Sequence, residues 1–185
     1  SQYSAPTNLR PAAAQALACP DNIGFEYGNF TNWSNYIGDV VANGTTNVIT
    51  VNPSAPTPNR HVIYAATNPS ALDPYGLFPI NPPDGSGFAL KLGNDVNGAE
   101  AESVRYTINV PANAVDFSIT YRYAGVFQDP GHERYEQPRF SAKILDVAEN
   151  KYLNCASWVF ISDDTIPGFY SSPIDNDIKC KAWTP

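Results

Sequence analysis

At 185 residues the chain is long enough for one domain, able to bury roughly 70% of its unfolded surface and so to form a core without staples. Its net charge of −7 and pI of about 4.6 argue against nucleic acid and anionic membrane surfaces as partners, since both select basic patches. No apolar run approaches the roughly 18–20 residues of a bilayer-spanning helix, which argues against membrane insertion by that route.

In chain order, the first twenty residues, SQYSAPTNLRPAAAQALACP, lack a basic n-region and a continuous apolar core. They read as a mature N-terminus or linker over 1–20, ahead of a β-sandwich domain over 21–185. Pro11 and Pro20 fence in Ala12–Ala18, leaving room for one short helical turn.

Seventeen prolines and twelve glycines punctuate the whole chain, and after residue 20 aromatic and β-branched residues fill the intervals. Strands are expected at Asn22–Tyr27, Tyr36–Val41, Asn47–Val51, His61–Ala65, Gly87–Leu92, Glu102–Val110, Val115–Gly125, Arg139–Val147, Ala156–Ser162 and Asp177–Trp183. Asn43-Gly44 marks a hairpin turn between the second and third of these. Thr67–Ser86 is a long irregular stretch, and loops of that length in compact domains are often functional. No amphipathic helical window of useful length follows residue 20. The pattern implies an all-β, two-sheet sandwich with long loops.

The chain is organised around Val115–Phe140. Val115, Phe117, Ile119, Tyr121 and Tyr123 alternate with polar residues, a period of two with one face buried. Asp129, His132, Glu133, Arg134, Glu136 and Arg139 then crowd a Pro/Gly-containing loop, in a chain only 16% charged. Loops held between well-patterned strands commonly carry binding chemistry. Asp129, His132, Gln137 and Arg139 combine a carboxylate, an imidazole, an amide and a guanidinium, a set that grips vicinal sugar hydroxyls. Tyr121, Tyr123 or Tyr135 would supply an apolar ring for a pyranose face. The structural alternative is an Asp129–Arg139 bridge pinning the loop, with Asp129-Pro130-Gly131-His132 a plain turn. His61 and Asp73 bracket the long loop and, with Tyr75, would line the same groove if their strands neighbour it. The alternative for each is a satisfied loop hydrogen bond.

Cys19, Cys155 and Cys180 have no CxxC spacing, which argues against a zinc site. Either one pair forms and one thiol stays free, or a partner cysteine lies beyond Pro185; the abrupt end after Trp183, Thr184 and Pro185 reads as a truncation. No GxSxG, HExxH or P-loop occurs, and the two histidines are far apart, so nothing specific points to an enzyme.

Ile23-Gly24-Phe25-Glu26-Tyr27-Gly28-Asn29-Phe30-Thr31-Asn32-Trp33 resembles the opening of galactose-binding-like jelly rolls, which include several families of carbohydrate-binding modules. A broader set comprises Leu92-Gly93-Asn94, Ala99–Glu102, Tyr123–His132, Glu136–Phe140 and Lys179–Thr184. It resembles a domain of large Bacteroidetes surface proteins, many of them adhesins or gliding-motility proteins exported by the type IX system. The resemblance covers roughly residues 19–184. It implies further C-terminal strands and another cysteine, missing here, and hence a sheet edge open to another segment or protomer. The galactose-binding-like resemblance implies a structural calcium, with Glu26 and Asn29 as the metal candidates; a solvent-facing Glu26 is the alternative. Asp164-Thr165-Ile166 resembles the O-glycosylation sequon of that phylum, with Thr165 the acceptor. Asn29, Asn32 and Asn43 head N-x-S/T sequons. The resulting expectation is a non-catalytic, extracellular adhesion or carbohydrate-recognition module of the bacterial cell surface. Its partner would be a glycan or surface polysaccharide. The competing expectation is a filament or surface-layer subunit joined to other protomers by strand addition.

Overall fold

The structure, a computed structural model, describes residues 19–112, 114, 118–162 and 167–184. Of the N-terminal segment only Cys19 and Pro20 fall within that range, and the glycosylation candidate Thr165 lies outside it. The described residues form strands β1 Trp33–Ala42, β2 Asn47–Ser54, β3 His61–Ala65, β4 Phe88–Leu92, β5 Glu100–Tyr106 and β6 Gly125–Gln128. There follow β7 Arg139–Ala142, β8 Leu145–Asp146, β9 Lys151–Tyr152, a 3-10 turn at Asn154–Ala156, β10 Trp158–Ile161, β11 Tyr170–Ser171 and β12 Ile178–Lys181.

The expected all-β class holds. Among the described residues every pairing is antiparallel and no barrel closes, and the arrangement is compatible with a sandwich. The strands divide among small sheets ordered β2-β1-β5, β10-β7, β11-β12-β6, β3-β4 and β8-β9. The Asn43-Gly44 signal produces the β1–β2 hairpin: Asn43 Oδ1 accepts the Thr45 and Thr46 amides, and Gly44 takes a φ of 87°. The β3–β4 ribbon lies against the β1–β5 pair. Arg60, just ahead of β3, donates through its guanidinium to the Gly38 carbonyl (3.0 Å) and the Ala101 carbonyl (3.1 Å), and its Nε pairs with Glu102.

Four expectations are corrected. Asn22–Tyr27 is a run of turns, because the Asn22 side chain competes with any ladder. Buried at 2% exposure, its amide donates to the Asn29 and Thr31 carbonyls and accepts the Tyr27 N–H. The Trp33 indole then donates to the Asn22 carbonyl, and Phe25 stacks on that ring at 4.4 Å. In the expected strand Val115–Gly125, residues 115–117 lie outside the described residues, 118–124 carry no ladder, and pairing is present from Gly125. Its alternation still has a cause. Tyr121 and Tyr123 stack on Phe140 at 6.2 and 5.4 Å, while Arg122 pairs with Asp84 at 3.2 Å. The expected strand Arg139–Val147 divides into β7 and β8, and Ala156–Ser162 is entered through the 3-10 turn.

The apolar interior is small and distributed. Phe25, Phe78, Ala89, Ala101, Ile178 and Cys180 are its buried members. The Thr67–Ser86 loop carries no strand, only a bridge between Leu72 and Pro79. It is held by its carbonyls: Tyr170 Oη donates to Gly76, Ser172 Oγ to Tyr75 and Trp183 Nε1 to Pro79, at 2.6–2.7 Å. This loop therefore docks on the β11–β12 end of the molecule.

Candidate functional site

Asp129 follows β6, and its amide donates to the Asp177 carbonyl at 2.6 Å. Its carboxylate accepts the Gly131 N–H and the Ser162 hydroxyl at 3.2 and 3.4 Å. Gly131, with φ of 90°, completes the expected turn. The Ser162 amide donates to the Pro138 carbonyl at 2.8 Å, so the end of β10 fastens both sides of the loop. No Asp129–Arg139 ion pair forms among the described residues. The bridge considered as the structural role of this pair is thus replaced by a carboxylate-capped turn.

Gln137 is 8% exposed; its Nε2 donates to the His132 carbonyl at 2.8 Å, and its Oε1 is buried without a partner. Arg139 opens β7 half-buried, and its Nε is likewise buried and unpartnered. The His132 side chain is exposed, and only its carbonyl joins this network. Asn47, at the start of β2, donates its side-chain amide to the Tyr135 carbonyl. Sequence reasoning did not single out Asn47 or Ser162. The one signal for Asn47 was its position just after a hairpin turn, and Ser162 offered none.

His61 and Asp73 do not join this group: no hydrogen bond or ion pair among the described residues links either to it. His61 is buried, its Nδ1 accepts the Thr57 N–H at 3.3 Å, and its Nε2 lies 3.4 Å from the Ser103 carbonyl. That pattern defines an Nε2-protonated ring satisfied on both sides. Asp73 Oδ1 accepts the Tyr75 and Gly76 amides at 3.0 and 2.7 Å and shapes its own loop. Both side chains are engaged by their own surroundings, and no contact among the described residues brings them together with Asp129.

Glu26 folds back on its own turn, both carboxylate oxygens 3.1 Å from the Gly24 N–H. Asn29 Oδ1 accepts the Thr31 amide and its carbonyl accepts Asn22. Calcium takes six to eight oxygens. As arranged, this turn offers one carboxylate already engaged by backbone, which does not fit that cage. No group of three metal-ligating side chains occurs among the described residues.

All three cysteines are free thiols, Cys19 and Cys155 exposed and Cys180 buried at 0% exposure, so no disulfide forms among them. Burial, aided by nearby Asp73, pushes the Cys180 thiol up to about 11 from an ordinary 9.0. The unfolded chain therefore releases this proton at lower pH than the fold does. The stabilising contribution is complete below pH 9.0 and is lost as pH rises toward 11. We expect chemical denaturation to show up to about 2 kcal/mol of loss across that window. Cys180→Ala should flatten the slope only in part, because burial raises Tyr170 in the same direction.

Two surface clefts lie elsewhere. One of about 300 Å³ is bounded by Asn59, Val62, Tyr64, Lys91 and Asp95. The other, about 520 Å³, is lined by Pro69, Pro79, Asn81, Pro82, Pro83 and Trp183. No site residue expected from the sequence lines either. No family model, curated protein or solved structure matches the chain. No helix among the described residues is long and apolar enough to cross a membrane.

Proposed function

We propose that this chain is a non-catalytic, extracellular module of a larger bacterial surface protein, recognising a glycan through the loop from Asp129 to Arg139. The observation that carries the reading is the pair of buried polar atoms without partners, Gln137 Oε1 and Arg139 Nε, on a loop anchored at both ends. Folded proteins leave few such atoms, and a ligand that reaches them through a shift of the loop is one way to satisfy them. The stacked rings of Tyr121, Tyr123 and Phe140 add an aromatic surface next to β7. The galactose-binding-like resemblance of the opening turn supports the same reading.

The test is a glycan-array screen of the chain, in calcium and again in EDTA, with Arg139→Ala alongside. Binding is expected, and Arg139→Ala should remove it with little change in thermal midpoint. Silence across the array from a folded chain sinks the reading.

The edge strands favour a second reading, assembly through strand addition between protomers. β2 and β10 each border a sheet, and Val48, Ile49, Trp158 and Val159 are exposed on them. Concentration-dependent association in sedimentation, with no glycan bound, would select this alternative.

A further inference from the structure

Three dipeptides place a glycine directly after an asparagine or aspartate: Asn43-Gly44, Asp84-Gly85 and Asn97-Gly98. Glycine has no Cβ to shield its backbone nitrogen, so that nitrogen can reach the preceding side-chain Cγ and close a five-membered ring. The fold treats the three differently. At the β1–β2 turn, Asn43 Oδ1 accepts the Thr45 and Thr46 amides at 3.2 and 2.9 Å and both threonine hydroxyls at 3.2 Å. Asp84 Oδ1 accepts the Ser86 amide at 3.0 Å, and Oδ2 pairs with Arg122 at 3.2 Å. The Gly85 N–H, the attacking group there, already donates to the Pro82 carbonyl at 3.4 Å. Asn97 has none of these restraints. It is exposed, like every residue from Asp95 to Glu100. No hydrogen bond among the described residues engages its side chain or the Gly98 N–H. Ring closure at Asn43 or Asp84 must first open local bonds; at Asn97 it opens none.

We propose that Asn97-Gly98 is a self-modifying site, where the folded chain converts asparagine to isoaspartate while Asn43-Gly44 is protected. The Gly98 nitrogen gives up its proton to hydroxide and bonds to Asn97 Cγ. The Cγ–Nδ2 bond breaks, ammonia leaves and a succinimide forms. Water then adds at the Asn97 main-chain carbonyl carbon, breaks its bond to the Gly98 nitrogen and leaves the chain linked through Cγ. Addition at Cγ instead gives aspartate. Either product adds one negative charge to the −7 of the parent. Isoaspartate also lengthens the main chain by one methylene at the entry to β5. The Ala99 carbonyl there accepts the Val40 N–H at 2.8 Å, and Glu100 opens the β1–β5 ladder opposite Asp39. The modification therefore loosens that entry.

The experiment is incubation of the full chain in warm, mildly alkaline buffer, with and without urea. Peptide mapping by mass spectrometry follows, with chromatographic separation of isoaspartyl peptides. In the folded chain, Asn97 is expected to convert at least about tenfold faster than Asn43, since several hydrogen bonds must open first at Asn43. In urea the two rates should converge, because unfolding removes the turn that holds Asn43. Gly98→Ala should slow Asn97 in both states, by setting a methyl group beside the attacking nitrogen, and leave Asn43 unchanged. Equal rates at Asn43 and Asn97 in the folded chain overturn the protection. Conversion of Asn97 in urea but not in the folded chain overturns the site. Conversion of Gly98→Ala at the parent rate overturns attack by the Gly98 nitrogen. Deuterium exchange at the Val40 amide should be faster in the isoaspartyl chain, and an unchanged rate overturns the loosening of β5.

Discussion

Arg60→Met is expected to lower folding stability by about 3–5 kcal/mol, the cost of breaking a buried ion pair from one side. Arg60 is 15% exposed and its partner Glu102 is 9% exposed, so little water is at hand to take over. Glu100, at 3.7 Å and more open, is a weaker second partner. The guanidinium also donates to the Gly38 and Ala101 carbonyls, on residues paired across β1 and β5. One side chain thus holds the entry to β3 against two strands of another sheet. The double variant Arg60→Met/Glu102→Leu should recover the ion-pair part of the loss, since both charges then disappear. It should not recover the rest, because the Gly38 and Ala101 carbonyls still lose a charged donor. Urea unfolding of both variants checks this; a single variant within about 1 kcal/mol of the parent would show the pair to be dispensable.

Gly38→Ala should be comparably damaging, at about 3 kcal/mol or more, by a different route. A Cβ there would sit 1.6 Å from the Thr50 carbonyl oxygen and 2.8 Å from the Val51 Cα. Those are backbone atoms of the neighbouring strand, so no rotamer change makes room. The β1–β2 ladder, paired from Asn35 with Ser54 to Ala42 with Asn47, would have to part. Gly44→Ala is the matched control: nothing lies within 4 Å, and only the φ of 87° is strained. It should cost about 1 kcal/mol. Similar denaturation midpoints for the two variants would contradict the close approach at Gly38.

The comparison of sequence with structure divides along physical lines. Local signals held: Asn43-Gly44 set the β1–β2 turn, and His61–Ala65 coincides with β3. Alternation held only in that Tyr121 and Tyr123 meet Phe140 while Arg122 turns to Asp84; the expected buried face did not form, since Ile119 and Tyr121 are exposed. It failed as a statement about ladders, because a period of two does not say whether a partner strand is present. Asn22 failed for another reason: a buried amide with three backbone bonds looks, in sequence, like any turn residue. In the candidate site, Gln137 and Arg139 were legible through residue type and spacing. Asn47 was not, because the contact that brings it there spans 88 residues. His61 and Asp73 had suitable chemistry but spend it on their own surroundings.

Sealing Cys180 inside the fold while Cys19 and Cys155 face solvent gives the molecule two kinds of thiol. Two answer to the solution at once. The third answers only when β12 parts from β6 and β11, its neighbours in the sheet. A thiol reagent therefore reads surface chemistry in its first phase and structural opening in its last, so the chain carries its own clock for the excursions of its C-terminal sheet.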